Sequence, residues 1–294
     1  EGLFNRRMEE HGEGEFTAND GGYYVGKWKD GRRDGFGFSV APHEVVKCGV
    51  WAKGRFRGEQ MLYHSERIYG IDISKYQHVH KRRVYGIDWR NLRITRLGHT
   101  ADRNALGAVD YPVSFVYIKS TEGLTVFNPY YTRDVRAARR YGFPVGAYHF
   151  FSTRPAMRQA DYFLKKSRLQ KGDLPPMLDV ELSDRRIAAM GGRDVLFREM
   201  LVWLKEIGRR SGTMPIIYVS QDFVNRYMPF APEALKAYPV WVARYGEYKP
   251  YVHLLYWQLS PDGRVRGIQG DVDIDVFNGS EEQFKRYLRT QTVK

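Results

Sequence analysis

PPMLDVE, residues 175–181, sets two prolines and a short apolar run ahead of two carboxylates, Asp179 and Glu181. Pro-bounded, with apolar residues up to its end, the run reads as a buried strand. Successive strand side chains alternate between faces, so Asp179 and Glu181 share a face roughly 6.5–7 Å apart along the strand. Two acids that close cannot ionise independently.

Working outward, seven more strand-like runs occur: IYGIDIS (68–74), SFVYIKS (114–120), PVGAYHFF (144–151), MPIIYVS (214–220), PVWVARYG (239–246), HLLYWQLS (253–260) and VDIDVF (272–277). Helix-like stretches lie between several of them: NPYYTRDVRAARRYG, PAMRQADYFLKKSRL and the run around VLFREMLVWLKEIGRR. Strands alternating with helices predict a parallel sheet, and eight strands predict a barrel of the smaller kind. Between the sixth and seventh strands there is too little chain for a crossover helix, so antiparallel neighbours are expected there. Residues 75–113 are long enough for a helical insertion.

In a parallel barrel the carboxyl ends of the strands surround the active site. Asp72 closes the first strand, Glu122 follows the second, Asp179 and Glu181 end the fourth, and Asp273 and Asp275 lie on the last. Each acid has a structural explanation on its own, such as Glu122 pairing with Lys119; their convergence on one mouth is what points to catalysis. Tyr148, His149 and Phe150 on the third strand, Tyr218 on the fifth, Trp241 and Tyr245 on the sixth, and Trp257 and Gln258 on the seventh supply aromatic faces and polar tips. Sugars use both, through C–H stacking and hydroxyl hydrogen bonds. Which half of each strand faces the lumen is left open by the sequence.

The first 67 residues are organised differently. Gly26, Trp28, Gly31 and Gly35 recur 23 residues later as Gly49, Trp51, Gly54 and Gly58, and Gly12 and Gly14 stand 23 residues before Gly35 and Gly37. A fixed period of this kind predicts stacked β-hairpins, the chain opening within the second half of an earlier unit. YVGKWKDGRRDGFG (24–37) resembles the membrane occupation and recognition nexus (MORN) repeat; the second unit departs from that pattern with Lys47 and Gln60. The resemblance implies a spacer, cap or interaction role, with protein or lipid as partners.

Composition bounds the rest. The 294 residues carry a net charge of +13, but residues 1–67 hold 11 Lys+Arg against 11 Asp+Glu, so the whole excess lies in residues 68–294. A basic surface attracts polyanions without selecting one. No zinc spacing, basic recognition helix or RNA-binding motif supports a specific nucleic-acid partner. Cys48 is the single cysteine, so no internal disulfide forms, and no GxSxG supports a serine nucleophile. The close histidines His78 and His80 lie in a predicted loop and do not point to a metal site. With no initiator Met and no apolar leader, the chain is expected to be a trimmed or mature piece, soluble and monomeric.

YGIDISKYQ, VYIKSTEG, VGAYHFF, MLDVE, IIYVS, WVARYG, YWQ and GDVDIDVF, in that order, resemble glycoside hydrolase family 25, the Chalaropsis-type muramidases. The resemblance spans residues 68–294. It implies an α/β fold, an irregular (β/α)5(β)3 TIM-like barrel, here preceded by a small all-β hairpin-repeat region at 1–67. It also implies cleavage of the β-1,4 bond between N-acetylmuramic acid and N-acetylglucosamine in peptidoglycan, without cofactor, outside the cytoplasm. The family's acids fall on Asp72, Asp179, Glu181 and Asp273, with Lys119, Glu122 and the aromatic set as substrate contacts. Glu181 is the expected general acid, its pKa raised by like-charge repulsion from a charged Asp179 and by partial desolvation. Direct attack by Asp72 and attack by the substrate's 2-acetamido oxygen both stay open, the second favoured by the DxE pair. The alternative is a sugar-binding barrel without catalysis.

Overall fold

The computed structural model describes residues 2–41, 46–60, 67–80, 82–99, 104–105, 107–243 and 253–294. Residues 2–59 build a six-stranded antiparallel sheet in chain order: β1 (Gly2–Phe4), β2 (Glu10–Thr17), β3 (Tyr23–Lys29), β4 (Arg32–Val40), β5 (Lys47–Ala52) and β6 (Arg55–Glu59). The 23-residue period is written into its backbone. Asp30–Gly31 and Lys53–Gly54 turn the two later hairpins, all four with positive φ, as two-residue type I′ turns require. Gly12, Gly35 and Gly58 hold φ of 91°, 105° and 126° at matching places.

Eight strands then close a barrel: β7 (Ile68–Ile73), β8 (Val116–Glu122), β9 (Val145–Phe150), β10 (Met177–Val180), β11 (Ile216–Ser220), β12 (Pro239–Ala243), β13 (His253–Arg266) and β14 (Val272–Phe277). Neighbours from β7 to β13 are parallel, while β14 runs antiparallel to both β13 and β7 and completes the circle. The expected antiparallel pairing of the sixth and seventh strands is therefore corrected. Those strands are parallel, and the reversal falls one strand later, where Gly267–Asp271 is the whole connection.

Helices α1 (Tyr131–Arg140), α2 (Ala156–Ser167), α3 (Asp184–Ala189), α4 (Arg193–Ser211), α5 (Gln221–Arg226) and α6 (Glu233–Lys236) follow β8 to β11, and α7 (Glu281–Thr290) follows β14. Residues 75–113 depart from the predicted helical insertion. Among the described residues there they form two 3-10 turns, Lys75–Gln77 and Trp89–Asn91, and short strands, of which Arg93–Arg96 extends the sheet beside β13.

Alternation divides the strands between two cores. Val116, Ile118, Leu178, Val180, Ile217 and Val219 pack outward under the helices. Inward, Phe115, Tyr117, Trp241, Tyr256 and Phe277 fill the lower lumen so closely that a methyl on Gly70 would meet the Phe115 ring at 2.2 Å. The barrel is thus solid below and open only at its mouth.

The hairpin sheet closes the bottom of this lumen. Tyr23, Val25, Phe38 and Cys48 join the inner core, and the Phe38 ring lies 6.0 Å from Phe277 and 6.2 Å from Tyr287. Polar contacts fix the join: Gln283 Nε2 donates to the Val25 carbonyl at 2.9 Å, Asn278 Nδ2 to the Gln60 carbonyl at 2.7 Å, and buried Glu59 lies 2.7 Å from His253 Nδ1. A shared core predicts shared unfolding. Phe38→Ala should cost about 3–5 kcal/mol and leave one urea transition for sheet and barrel together; an unchanged barrel transition would contradict this.

Candidate active site

Four acids converge where the carboxyl ends of the strands meet. Asp72 on β7 sits directly across from Asp273 on β14, and Asp179 on β10 lies between Phe150 of β9 and Tyr218 of β11. Glu181 is one step beyond β10. All four line a cavity of about 660 Å³, with Lys119, Tyr148, Phe150, Tyr218 and Gln258 among its walls. Tyr218 Oη donates to Gln258 Oε1 at 3.3 Å, and the Lys119 ammonium stands 4.3 Å from the Phe150 ring centre and 2.7 Å from Glu122.

Burial separates the acids. Asp72 and Asp179 are buried at the cavity floor, and Glu181 is exposed at its mouth. Asp179 Oδ1 is out of solvent yet accepts no hydrogen bond among the described residues. Burial, reinforced by Glu181, lifts the Asp179 pKa well above the usual carboxylate range; Lys119 opposes the rise. Asp72 is lifted to about 7 by burial and by Glu181, against a hydrogen bond from Tyr148. Glu181, exposed as a residue but with its carboxyl partly desolvated, is also raised, with Lys119 holding it down. The charged Asp179 expected from the sequence is thus corrected: desolvation raises Asp72 and Glu181 and lifts Asp179 well above the usual carboxylate range.

Asp275, on the same strand as Asp273, is wholly enclosed. Burial first, then Asp72 and Asp273, raise its pKa well above normal, with the Trp241 side chain and the Asp72 backbone opposing the rise.

These raised acids carry a sign for stability. Asp72 binds its proton more tightly folded than unfolded, with a pKa of about 7 against 3.8, so its contribution is complete below about pH 4 and lost as pH rises through about 7. Asp72→Asn should flatten that fall in urea unfolding between pH 4 and 8; equal slopes for the two proteins would contradict the assignment.

Several sequence-predicted contacts lie elsewhere. His149 points outward: Nδ1 is 2.7 Å from Thr121 Oγ1, Nε2 is 3.1 Å from Gln159 Oε1, and its ring stacks on Trp203. Trp257 also belongs to the outer core, and Trp241 packs under the cavity floor against Tyr117 and Tyr256. Glu122 is not among the residues that line the cavity; its carboxylate is tied to Lys119. Tyr245 lies outside the described residues. His78 is buried against α1, 2.6 Å from Asp134.

The cavity also uses Tyr76, which the sequence reading passed over. It sits on the 3-10 turn Lys75–Gln77, fixed by a capping box between Ser74 and Gln77 and by Gln77 Nε2 donating to the Asp271 carbonyl at 3.1 Å. Its signal was available, since YGIDISKYQ runs through it, but strand alternation stops at Ile73.

The model of the glycosyl hydrolases family 25 matches residues 71–268, two thirds of the chain. The chain belongs to glycosyl hydrolase family 25. It is therefore a glycoside hydrolase, in place of the binding-only alternative. The Escherichia coli O157:H7 protein YegX is 33% identical over 228 residues, 76% of this chain and 74% of that one. Lysozyme M1 of Streptomyces globisporus is 28% identical over 229 residues, 72% of this chain and 68% of that one. The crystal structure of the bacterial lysozyme from Streptomyces coelicolor matches with a TM-score of 0.61 at 26% identity, covering 78% of this chain and 98% of that chain. A family 25 glycosyl hydrolase from Bacillus anthracis shares the fold at a TM-score of 0.58 and 24% identity, covering 79% and 99%. The family match begins at residue 71, so the hairpin sheet lies outside it.

Proposed function

We propose that this family 25 hydrolase is a peptidoglycan N-acetylmuramidase working by substrate assistance, with Glu181 as general acid and Asp179 as the group that orients the substrate's acetamide. The observation that carries this reading is the buried Asp179 oxygen without a donor, set below Glu181 in an acid-lined cavity. An acceptor left open in this way costs free energy until a donor arrives. The N–H of a 2-acetamido group has the chemistry to fill it, and the curated relatives include Lysozyme M1 and the Chalaropsis N,O-diacetylmuramidase.

Substrate contacts shift this electrostatic balance. A sugar covering the mouth desolvates Glu181 and raises its pKa, while the N–H donated to Asp179 favours the ionised form there. Glu181 gives its proton to the leaving oxygen as the acetamido oxygen bonds to the anomeric carbon and the glycosidic bond breaks. Asp179 holds the N–H of the resulting oxazolinium. Water, giving a proton to the Glu181 carboxylate, opens that ring with retained configuration. Asp72 and Asp273, paired across neighbouring strands, place two carboxyl groups beside the ring, where they stabilise the oxocarbenium-like transition state. Tyr148, Phe150, Tyr218, Gln258, Lys119 and Tyr76 are the substrate contacts in this reading.

Such a substrate places the enzyme at the cell wall, outside the cytoplasm, and the basic barrel favours association with an anionic wall polymer. No helix among the described residues is long and apolar enough to cross a membrane. We read residues 1–67 as MORN-like hairpins and 68–294 as the catalytic barrel. The equivalent places of Trp28 and Trp51 in β3 and β5 support the repeat. End-group analysis of wall digested by the wild-type protein and by Glu181→Gln tests the catalytic reading.

A further inference from the structure

Tyr76 lines the catalytic cavity, yet 68% of it is exposed. So little of the ring packs on the protein that the backbone of its turn decides where it stands. The two residues that follow it are buried instead. Gln77 crosses to the Asp271 carbonyl, and the His78 N–H closes the turn on the Lys75 carbonyl at 3.1 Å. The His78 imidazole then runs into α1. Its Nε2 lies 2.6 Å from Asp134 Oδ2, its Nδ1 lies 3.0 Å from the Tyr85 carbonyl and 2.9 Å from Arg133 Nη2, and the Tyr130 ring stacks on it at 4.1 Å.

We propose that the buried His78–Asp134 pair is a positioning device for glycan binding, holding Tyr76 in place as an aromatic platform for a sugar ring of the bound strand; the proposal rests on the peptidoglycan reading of the cleft. The side chains of the pair are 0% and 1% exposed, so neither touches a glycan, and an effect on binding must pass through what they hold. What they hold is the Tyr76 turn. Apolar packing is non-directional, whereas a hydrogen bond to a side chain of α1 fixes the orientation of the turn as well as its depth. Helix α1 follows β8, the neighbour of β7, so the anchor ties the turn to the adjoining strand and helix. Opening it leaves a polar group buried without its partner, a cost that favours the tethered arrangement.

Position gives the platform its use. β7 and β11 stand four strands apart in a closed ring of eight, so Tyr76 after β7 and Gln221 and Asp222 after β11 line opposite sides of the mouth. A glycan lying across the acids reaches Tyr76 at one side, where the C–H face of a sugar stacks on the ring. Such a stack is made in the ground state and in the transition state alike, so its loss raises KM and spares kcat.

The test is a double-mutant cycle read on soluble N-acetylated glycan strands of the wall, with urea midpoints confirming that each variant is folded. Tyr76→Ala, at an exposed position, should raise KM about three- to tenfold with kcat nearly unchanged. His78→Ala should raise KM over the same range. In the Tyr76→Ala background His78→Ala should add less than about twofold, because the platform it serves is already gone. Asp134→Asn, which keeps the shape of the side chain, should raise KM about two- to threefold and lose that effect beside Tyr76→Ala; it carries the cycle if His78→Ala does not fold. An unchanged KM for Tyr76→Ala overturns the proposal, since nothing is then left to position. Unchanged KM in the folded variants of the pair, effects that multiply in the double variants, or a loss that falls on kcat overturns it as well. Wild-type protein that turns over no glycan defeats the catalytic reading instead, and the same cycle read as Kd for glycan fragments in a Glu181→Gln background then decides the platform.

Discussion

Glu181→Gln is expected to lower the rate of glycan cleavage by about 10²–10⁴-fold, the range that positioned acid catalysis supplies. The amide keeps the shape and hydrogen-bonding capacity of Glu181 while losing the transferable proton. Glu181 is exposed at the mouth, so the substitution should leave the folded state within about 0.5 kcal/mol of wild type. The loss should therefore fall on kcat, with KM nearly unchanged. In the wild-type enzyme activity should fall as pH rises through the raised pKa of Glu181, and as pH falls through the pKa at which the substrate-bound Asp179 takes a proton; the Gln variant should lack the alkaline limb. A variant with full activity would place the acid elsewhere in the cavity.

The second large effect concerns Asp179 and the acetamide together. Asp179→Asn should reduce kcat by about 10²–10³-fold, the scale of losing one preorganised group that stabilises transition-state charge. Wall glycan stripped of its N-acetyl groups should be turned over at least about 100-fold more slowly than acetylated glycan, since the nucleophile itself is then missing. Attack by Asp72 makes opposite forecasts: deacetylated glycan stays a substrate, and Asp72→Asn becomes the most damaging change. Comparing the two glycans with wild-type enzyme separates these routes without any mutation.

Much of this architecture was legible because strand and helix periods differ. Eight apolar runs with their intervening helices mark a barrel, and the parity of Asp179 and Glu181 puts both on the inner face. The hairpin region announced itself through its 23-residue glycine spacing, which the positive φ of Gly35 and Gly58 explains. What stayed hidden has identifiable causes. Tyr148 and His149 are adjacent, both able to serve either face; only the packing of Trp203 and the Gln159 amide on the outer side decides which turns inward. Trp257 and Gln258 pose the same choice. The register shift in β8 turns Thr121 outward beside His149, and alternation alone has no means of locating such a shift. Burial depth, which raises Asp179 above expectation, depends on the whole lumen and not on the DxE spacing.

The most direct measurement is of the ends made when purified peptidoglycan is digested by the wild-type protein and by Glu181→Gln, reduced with borohydride and read by mass spectrometry. The account predicts reduced muramic acid ends from the wild type and almost none from the variant. Reduced glucosamine ends, or equal release by the two proteins, would contradict it.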